Sequence, residues 1–372
     1  MQGRQPTIFL HIGIAKTGTT YLQELLWHNR RLLDQHGLRY PGDRPGDHFR
    51  ASVDLRQKPF AGEAHTLQPG AWDALARAAK AAPDRAVISH ETLTRATTEQ
   101  VQRAVESLQP AELHLVVTVR DLARQLPAVW QEHLKNRGIS NYDRFLRDVA
   151  ERPRNRRHRN FWQAQDLLDV LRRWSAAAPP ERVHLVTVPQ PGAPSGLLWE
   201  RFASVIGVEP GLVRTDLPVS NVSLGVAEAE LLRRLNPALR ERVDWLTYER
   251  HVKSDLVRRL AARRDSARLQ VPVDWRAWVS NRAEQMVAGL REGGYDVVGD
   301  LDELVPVFDD RPVVMPRDIP SKQLLQMAGE CFADLLDEHA APGRRGMRYR
   351  LRNRLRAVAR ARRAWSRRPG SG

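Results

Sequence analysis

With 372 residues, 42% of them hydrophobic, the chain can bury a sizeable core as about two domains or as one large α/β domain with appendages. Its single cysteine, Cys331, excludes a disulfide framework and a cysteine-based zinc site, which suits a reducing cytosol. The net charge of +15 is concentrated at one end: residues 344–372 hold twelve arginines and no acid, so taking those twelve charges away leaves +3, too little to mark the main body as a nucleic-acid binder.

In chain order, MQGRQPTIFLHIG lacks a basic start followed by a long apolar segment, and no run of 18 apolar residues occurs anywhere. A soluble protein made in the cytoplasm is therefore expected. Apolar runs at 8–14, 86–89 and 113–119 read as buried parallel strands, and 183–188 as a fourth. Helical patterns at 21–35, 71–82, 99–108, 125–136 and 161–174 separate them. Thr97 or Thr98 caps the third of these, and Gln100 is placed to complete a capping box from Thr97. Strands alternating with helices predict an α/β fold: an open, mostly parallel sheet covered on both faces.

From Gly225 the pattern turns helical, with apolar residues at three- and four-residue spacing over 227–235, 246–264 and 275–292. The stretch GGYDVVGDLDELVP, 293–306, reads as the end of the main domain. A Pro-rich join and a short helix follow at 321–339, and then the arginine-rich tail, with Leu351, Leu355 and Val358 at helical spacing. The expected division is an α/β domain over 1–306, a linker with a short helical extension over 307–343, and the tail over 344–372.

The stretch TIFLHIGIAKTGTT carries the clearest chemistry. A strand, a glycine-containing turn and a helix start make an anion site, because the first-turn N–H groups are unpaired and the helix dipole is positive there. Gly18 lets the backbone approach closely, Lys16 adds a full charge, and Thr17, Thr19 and Thr20 carry hydroxyls. A phosphate suits such a loop; the plain alternative is an ordinary strand–turn–helix junction. An ATP-binding loop has its lysine directly after the second glycine, whereas Lys16 lies two residues before Gly18. The strand at 113–119 is followed by Arg120, and Asp121 comes only afterwards, so no magnesium carboxylate is evident at its end.

The segment VTVRDLARQLPAVWQEHLKNRG repeats the strand–cation–helix design, and Arg120 has the planar fork that suits a phosphate. Ligands of open α/β sheets bind off the strands' carboxyl ends, where Arg120 and Lys16 would meet. An exposed arginine paired with Asp121 is the structural alternative.

HIGIAKTGTT resembles the 5′-phosphosulfate loop of sulfotransferases that use 3′-phosphoadenosine 5′-phosphosulfate (PAPS), and the second segment resembles their 3′-phosphate segment. The chain from about 7 to 306 is similar to bacterial, notably actinobacterial, members, including SNVSLGVAEAELLRRLN and GYDVVGDLDEL; the tail lies outside the likeness. The resemblance implies a P-loop-like three-layer α/β/α fold. It implies that Lys16 contacts the leaving bridging oxygen, Thr17 to Thr20 bind the 5′-phosphate and Arg120 binds the 3′-phosphate, with PAP as product and no metal. The family's pattern has a serine eight residues after that arginine. Ala128 stands here, so either a neighbour such as Trp130, Gln131 or Lys135 substitutes or the 3′-phosphate is held more weakly. Asn221 and Ser223 resemble a late segment that approaches the nucleotide, or else cap the helix that follows.

Sulfuryl transfer to an acceptor hydroxyl or amine also needs a general base. His90 and Glu91 follow a strand in AVISHETLTR, and His48 lies in a polar loop; His11 reads as a packed strand residue. The acceptor is left open among a glycan, a lipid glycoconjugate and a small metabolite. Two other readings stand beside this one. One is a phosphate-loop kinase, which the misplaced lysine speaks against. The other is a non-enzymatic protein whose tail binds nucleic acid or an anionic membrane, with Leu351, Leu355, Val358 and Trp365 as weak apolar contacts.

Overall fold

The computed structural model describes residues 5–60, 63–151, 156–217, 223–263, 266–308 and 310–339. The tail at 344–372 and Asn221 lie outside them. The chain divides into two compact units, Met1–Leu324 and Leu325–Gly372, and the sheet belongs to the first.

Six strands, β1 Thr7–His11, β2 Leu38–Arg39, β3 Arg85–Ser89, β4 Glu112–Val119, β5 Val183–Thr187 and β6 Asp296–Val298, form one sheet in the order β2-β3-β1-β4-β5-β6. Every pairing is parallel. The fold is α/β. Alternating side chains explain why both faces are covered. Ile8, Leu10, Ile88, Leu115, Val117 and Leu185 pack on one side, with helices Ala71–Lys80, Thr98–Leu108 and Leu167–Trp174. Phe9, Val87, Val116 and Val186 pack on the other, with helices Thr19–His28 and Leu197–Val205. Strands buried on both faces read as continuous apolar runs, which is why β1, β3, β4 and β5 are visible in the sequence. β2 and β6 are edge strands of two and three residues and leave no such run.

Several boundaries follow from local chemistry. The Thr97 and Gln100 side chains complete a capping box at the Thr98–Leu108 helix. The pattern at 21–35 breaks at Asn29 into two helices, and that at 161–174 breaks at Asp166, which accepts from the Asp169 N–H and caps the second piece. The pattern at 246–264 is a short α-helix, then a π-helical stretch Glu249–Leu256, then Val257–Ala262. His48, expected in a polar loop, lies in helix Asp47–Arg56. Among the described residues no helix is long and apolar enough to cross a membrane.

Sheet order fixes where the chemistry can gather. The chain places β2 and β3 on one side of β1 and β4 to β6 on the other. Such a reversal opens a crevice off the carboxyl ends of the two strands that part, here β1 and β4.

Candidate functional site: a cationic crevice between two strand ends

Past β1 the backbone stays docked to β4, with the Ile12 N–H donating to the Val116 carbonyl at 3.0 Å and the Ile14 N–H to that of Thr118 at 3.1 Å. It then turns through two left-handed residues, Lys16 at φ 75° and Gly18 at φ 85°. For lysine this conformation is strained, and such strain persists only where the surroundings over-determine it. Arg120 Nη1 donates to the Lys16 carbonyl at 3.1 Å, and the Gln125 amide donates to the neighbouring Ala15 carbonyl. Helix Thr19–His28 starts at Gly18 with no side chain capping it. Its first-turn N–H groups are left for an outside acceptor.

Arg120 stands one residue past β4 and, among the described residues, forms no ion pair: the neighbouring Asp121 favours its charge but caps helix Leu122–Lys135 and pairs with Arg124. Burial, then the neighbouring Arg124, pushes the Arg120 guanidinium down to about 10, so it stays charged at neutral pH, and its buried Nε has no hydrogen-bond partner. The Lys16 ammonium meets the Glu132 carboxylate at 2.5 Å. Lys253, from the π-helical stretch, lies 3.5 Å from the other Glu132 oxygen and donates to Asn136 Oδ1 at 2.8 Å. Burial alone would raise the Glu132 carboxyl, but Lys16 and Lys253 outweigh it and bring it down to about 2. Burial and then Lys16 lower Lys135 to about 8, with Glu132 opposing them. One carboxylate thus shares a crevice with three lysines, an arrangement with a surplus of positive charge.

The remaining expected residues divide. Thr19 and Thr20 open the helix, so their backbone N–H groups belong to its unpaired first turn. Thr17 is a correction: it is fully buried, its hydroxyl donates to the Ile14 carbonyl at 2.5 Å and contacts Thr118 Oγ1 at 2.6 Å, and its N–H is taken by the same carbonyl. Trp130 is also a correction, with no exposure and its indole N–H given to the Ser140 carbonyl. It packs the core. Gln131 braces the helix against the Leu224 backbone, donating at 2.8 Å and accepting at 3.0 Å. Ser223 is exposed, and Gly225, not Ser223, caps helix Val226–Arg242.

His48 is not placed to act as a base. It is buried in helix Asp47–Arg56, its ring is stacked on Tyr40 at 4.1 Å, its Nε2 donates to the Pro41 carbonyl at 2.7 Å and its Nδ1 accepts from the Ser89 N–H at 3.0 Å. Burial lowers it to about 4. His11 is buried in β1 between Ser89 and Thr118 and lowered to about 3, again by burial first. His90 and Glu91 sit just past β3. His90 Nδ1 accepts from the Thr92 N–H at 3.2 Å, which puts the neutral ring's proton on Nε2. Burial, opposed by Glu91, lowers His90. Glu91 accepts from Gln23 Nε2 at 3.3 Å. Burial would raise Glu91, but His90, Gln23 and Lys16 together hold it below the usual carboxylate range. Glu91 is thus an ionised acceptor and His90 a donor.

Glu132, Lys253 and Gln23 were not read from the sequence. Glu132 and Lys253 reach the site from 116 and more positions away in the chain. The one local signal is that Glu132 and Asn136 share a helix face with Lys135 beside them. Among the described residues no group of three or more His, Cys, Asp or Glu is arranged to hold a metal ion.

No protein-family model matches the chain, and no curated protein matches it. Among solved structures it is similar to a sulfotransferase from Alicyclobacillus acidocaldarius, with a TM-score of 0.35 and 16% identity, over 66% of this chain and 99% of that one.

Proposed function

We propose that the crevice binds PAPS and transfers its sulfuryl group to an acceptor hydroxyl or amine. The observation that carries this reading is the convergence of two cations on one loop. Arg120 holds the carbonyl of Lys16 at 3.1 Å, and both flank a helix start that no side chain caps. That set suits a nucleotide with two separated phosphate groups: the loop and Lys16 on the phosphosulfate, Arg120 on the second phosphate.

In the reaction the acceptor oxygen attacks sulfur in line, the bond from sulfur to the bridging phosphate oxygen breaks, and its electron pair stays on that oxygen. Lys16 stabilises the charge that develops there, an interaction stronger in the transition state than in the ground state. Glu91 takes the acceptor proton, with Gln23 Nε2 donating to its carboxylate and the His90 ring beside it, Nδ1 at 3.9 Å. PAP leaves as the product.

Calorimetry with PAP on the wild type, Lys16→Ala and Arg120→Ala tests the reading. Each substitution removes a charge-assisted contact worth about 1.5–3 kcal/mol, or roughly 10- to 150-fold in affinity. Binding untouched by both changes sinks the assignment. A thermal-shift comparison of PAP with Mg-ATP separates it from a kinase, and Glu91→Gln lowers turnover about 10²–10⁴-fold while sparing PAP binding.

A further inference from the structure

A cavity of about 400 Å³ lies beside the crevice, and Asn136, Arg137, His133, Arg240, Trp245 and Glu63 line it. That is the size of a small-ligand site. It is tied to the reacting end of the crevice by hydrogen bonds. Asn136 on its wall donates to Glu132 Oε1 at 3.0 Å and accepts from Lys253 at 2.8 Å, and Glu132 holds Lys16.

Two features set the chemistry of an occupant. The first is charge. Arg137 sits in a left-handed backbone conformation, φ 64°, and is fixed there: Nη2 donates to the Val243 carbonyl at 2.6 Å and to that of Asp244, and the guanidinium stacks on Tyr248 at 4.7 Å. Arg240 is exposed and lines the same wall, against a single acid, Glu63. The second is a row of rings. His90 and Phe49 lie 5.3 Å apart, Phe49 and Phe60 5.3 Å, Phe60 and Trp245 6.3 Å. The Lys253 ammonium stands 6.0 Å from the Phe60 ring and 5.9 Å from that of Trp245. The row therefore runs from the His90–Glu91 pair to the basic cavity.

We infer that this cavity is the acceptor subsite, and that the acceptor is a ring-bearing molecule with an acidic group, carboxylate or sulfate ester. Arg137 and Arg240 hold the acid, Trp245 on the cavity wall meets the ring, and a hydroxyl is left towards Lys16 and Glu91. The exposed Arg240 can meet either anion with a forked pair of hydrogen bonds, and the pinned Arg137 adds a second positive charge beside it. The role as acceptor site rests on the sulfuryl-transfer reading; the preference for a charged ring compound does not.

The test uses three probes, 4-nitrophenyl β-glucuronide, 4-nitrophenyl β-glucoside 6-sulfate and the uncharged 4-nitrophenyl β-glucoside, titrated by ligand-observed NMR at fixed ionic strength. The wild type is expected to bind at least one charged probe about tenfold tighter than the glucoside, a forked pair being worth about 1.5–3 kcal/mol. The tighter of the two says which acid the pocket takes. Arg240→Ala narrows the gap and Arg240→Glu reverses it. Both keep the wild-type thermal transition and the wild-type affinity for PAP. Equal binding of all three probes, or a gap that survives Arg240→Glu, overturns the inference. PAP binding in the same samples is a separate readout: its loss in the wild type ends the sulfuryl-transfer reading and leaves the probe preference standing.

Discussion

Lys16 has its ammonium held by Glu132, which, on the proposed reading, makes the carboxylate a competitor for the charge that a nucleotide donor would need. Glu132→Gln keeps the size and one acceptor but drops the charge. PAP should then bind more tightly, by about tenfold, the lower end of what a charge-assisted contact is worth. Weaker binding by calorimetry would mean that Glu132 chiefly holds Lys16 in position. The buried histidines make a different prediction. His48 titrates at about 4 and His11 at about 3 in the fold, against 6.5 unfolded. Their folded values are depressed, so the unfolded chain takes up the protons first as pH falls. The stability is whole above pH 6.5 and is lost between 6.5 and each folded value, at about 1.4 kcal/mol per pH unit for each group. Urea unfolding at pH 7.5, 5.5 and 4.5 measures the slope, and His48→Phe should flatten it. The strand-end addresses of Lys16, Arg120 and Glu91 were legible because a residue just past a buried run must lie at the sheet edge. The fates of Thr17, Trp130 and His48 were not. Each is decided by a partner, whether Thr118, Ser140 or Tyr40 with Pro41, that only the folded backbone brings near.

The strand–turn–helix unit at β1 is the element on which the site depends, and Gly18 is its hinge point. At φ 85° an alanine costs about 1–2 kcal/mol, and its Cβ would stand 2.5 Å from Leu198 Cδ2. Gly18→Ala should therefore lower the unfolding midpoint and weaken PAP binding together, because a Cβ strains the left-handed turn even when the flexible Leu198 side chain gives way. Unchanged binding by calorimetry would remove the loop from the anion site. This element could be read from the sequence since a buried parallel strand, a glycine turn and a helix onset each leave a local mark. The helix Asp47–Arg56 left none: it follows the Pro- and Gly-rich PGDRPG and holds four charged residues among ten. The π-helical stretch was hidden for another reason. Its apolar spacing passes for an ordinary helix, and a wider turn is set by what its side chains meet, here Lys253 with Asn136 and Glu132.

At the scale of the whole molecule, the open sheet follows from six parallel strands whose order reverses beside β1, and the crevice follows from that reversal. The site residues all fall in the unit Met1–Leu324, whereas twelve of the positive charges that make up the +15 belong to residues 344–372. The two should therefore act separately. A chain ending at Gly343 keeps a net charge near +3 and should bind PAP as the full chain does. Saturation at a hundredfold excess over Kd stabilises either form by about 2.7 kcal/mol through mass action, read as a rise in the unfolding midpoint. Binding to vesicles with anionic lipid should fall away in the shortened chain. Each juxtamembrane basic residue contributes about 1 kcal/mol near such a surface, and that attraction fades as salt shortens the Debye length. If PAP affinity dropped with the tail, the tail would belong to the nucleotide site, and the separation argued here from charge placement would be wrong. If vesicle binding persisted, the attraction would have to come from the body and not from the tail.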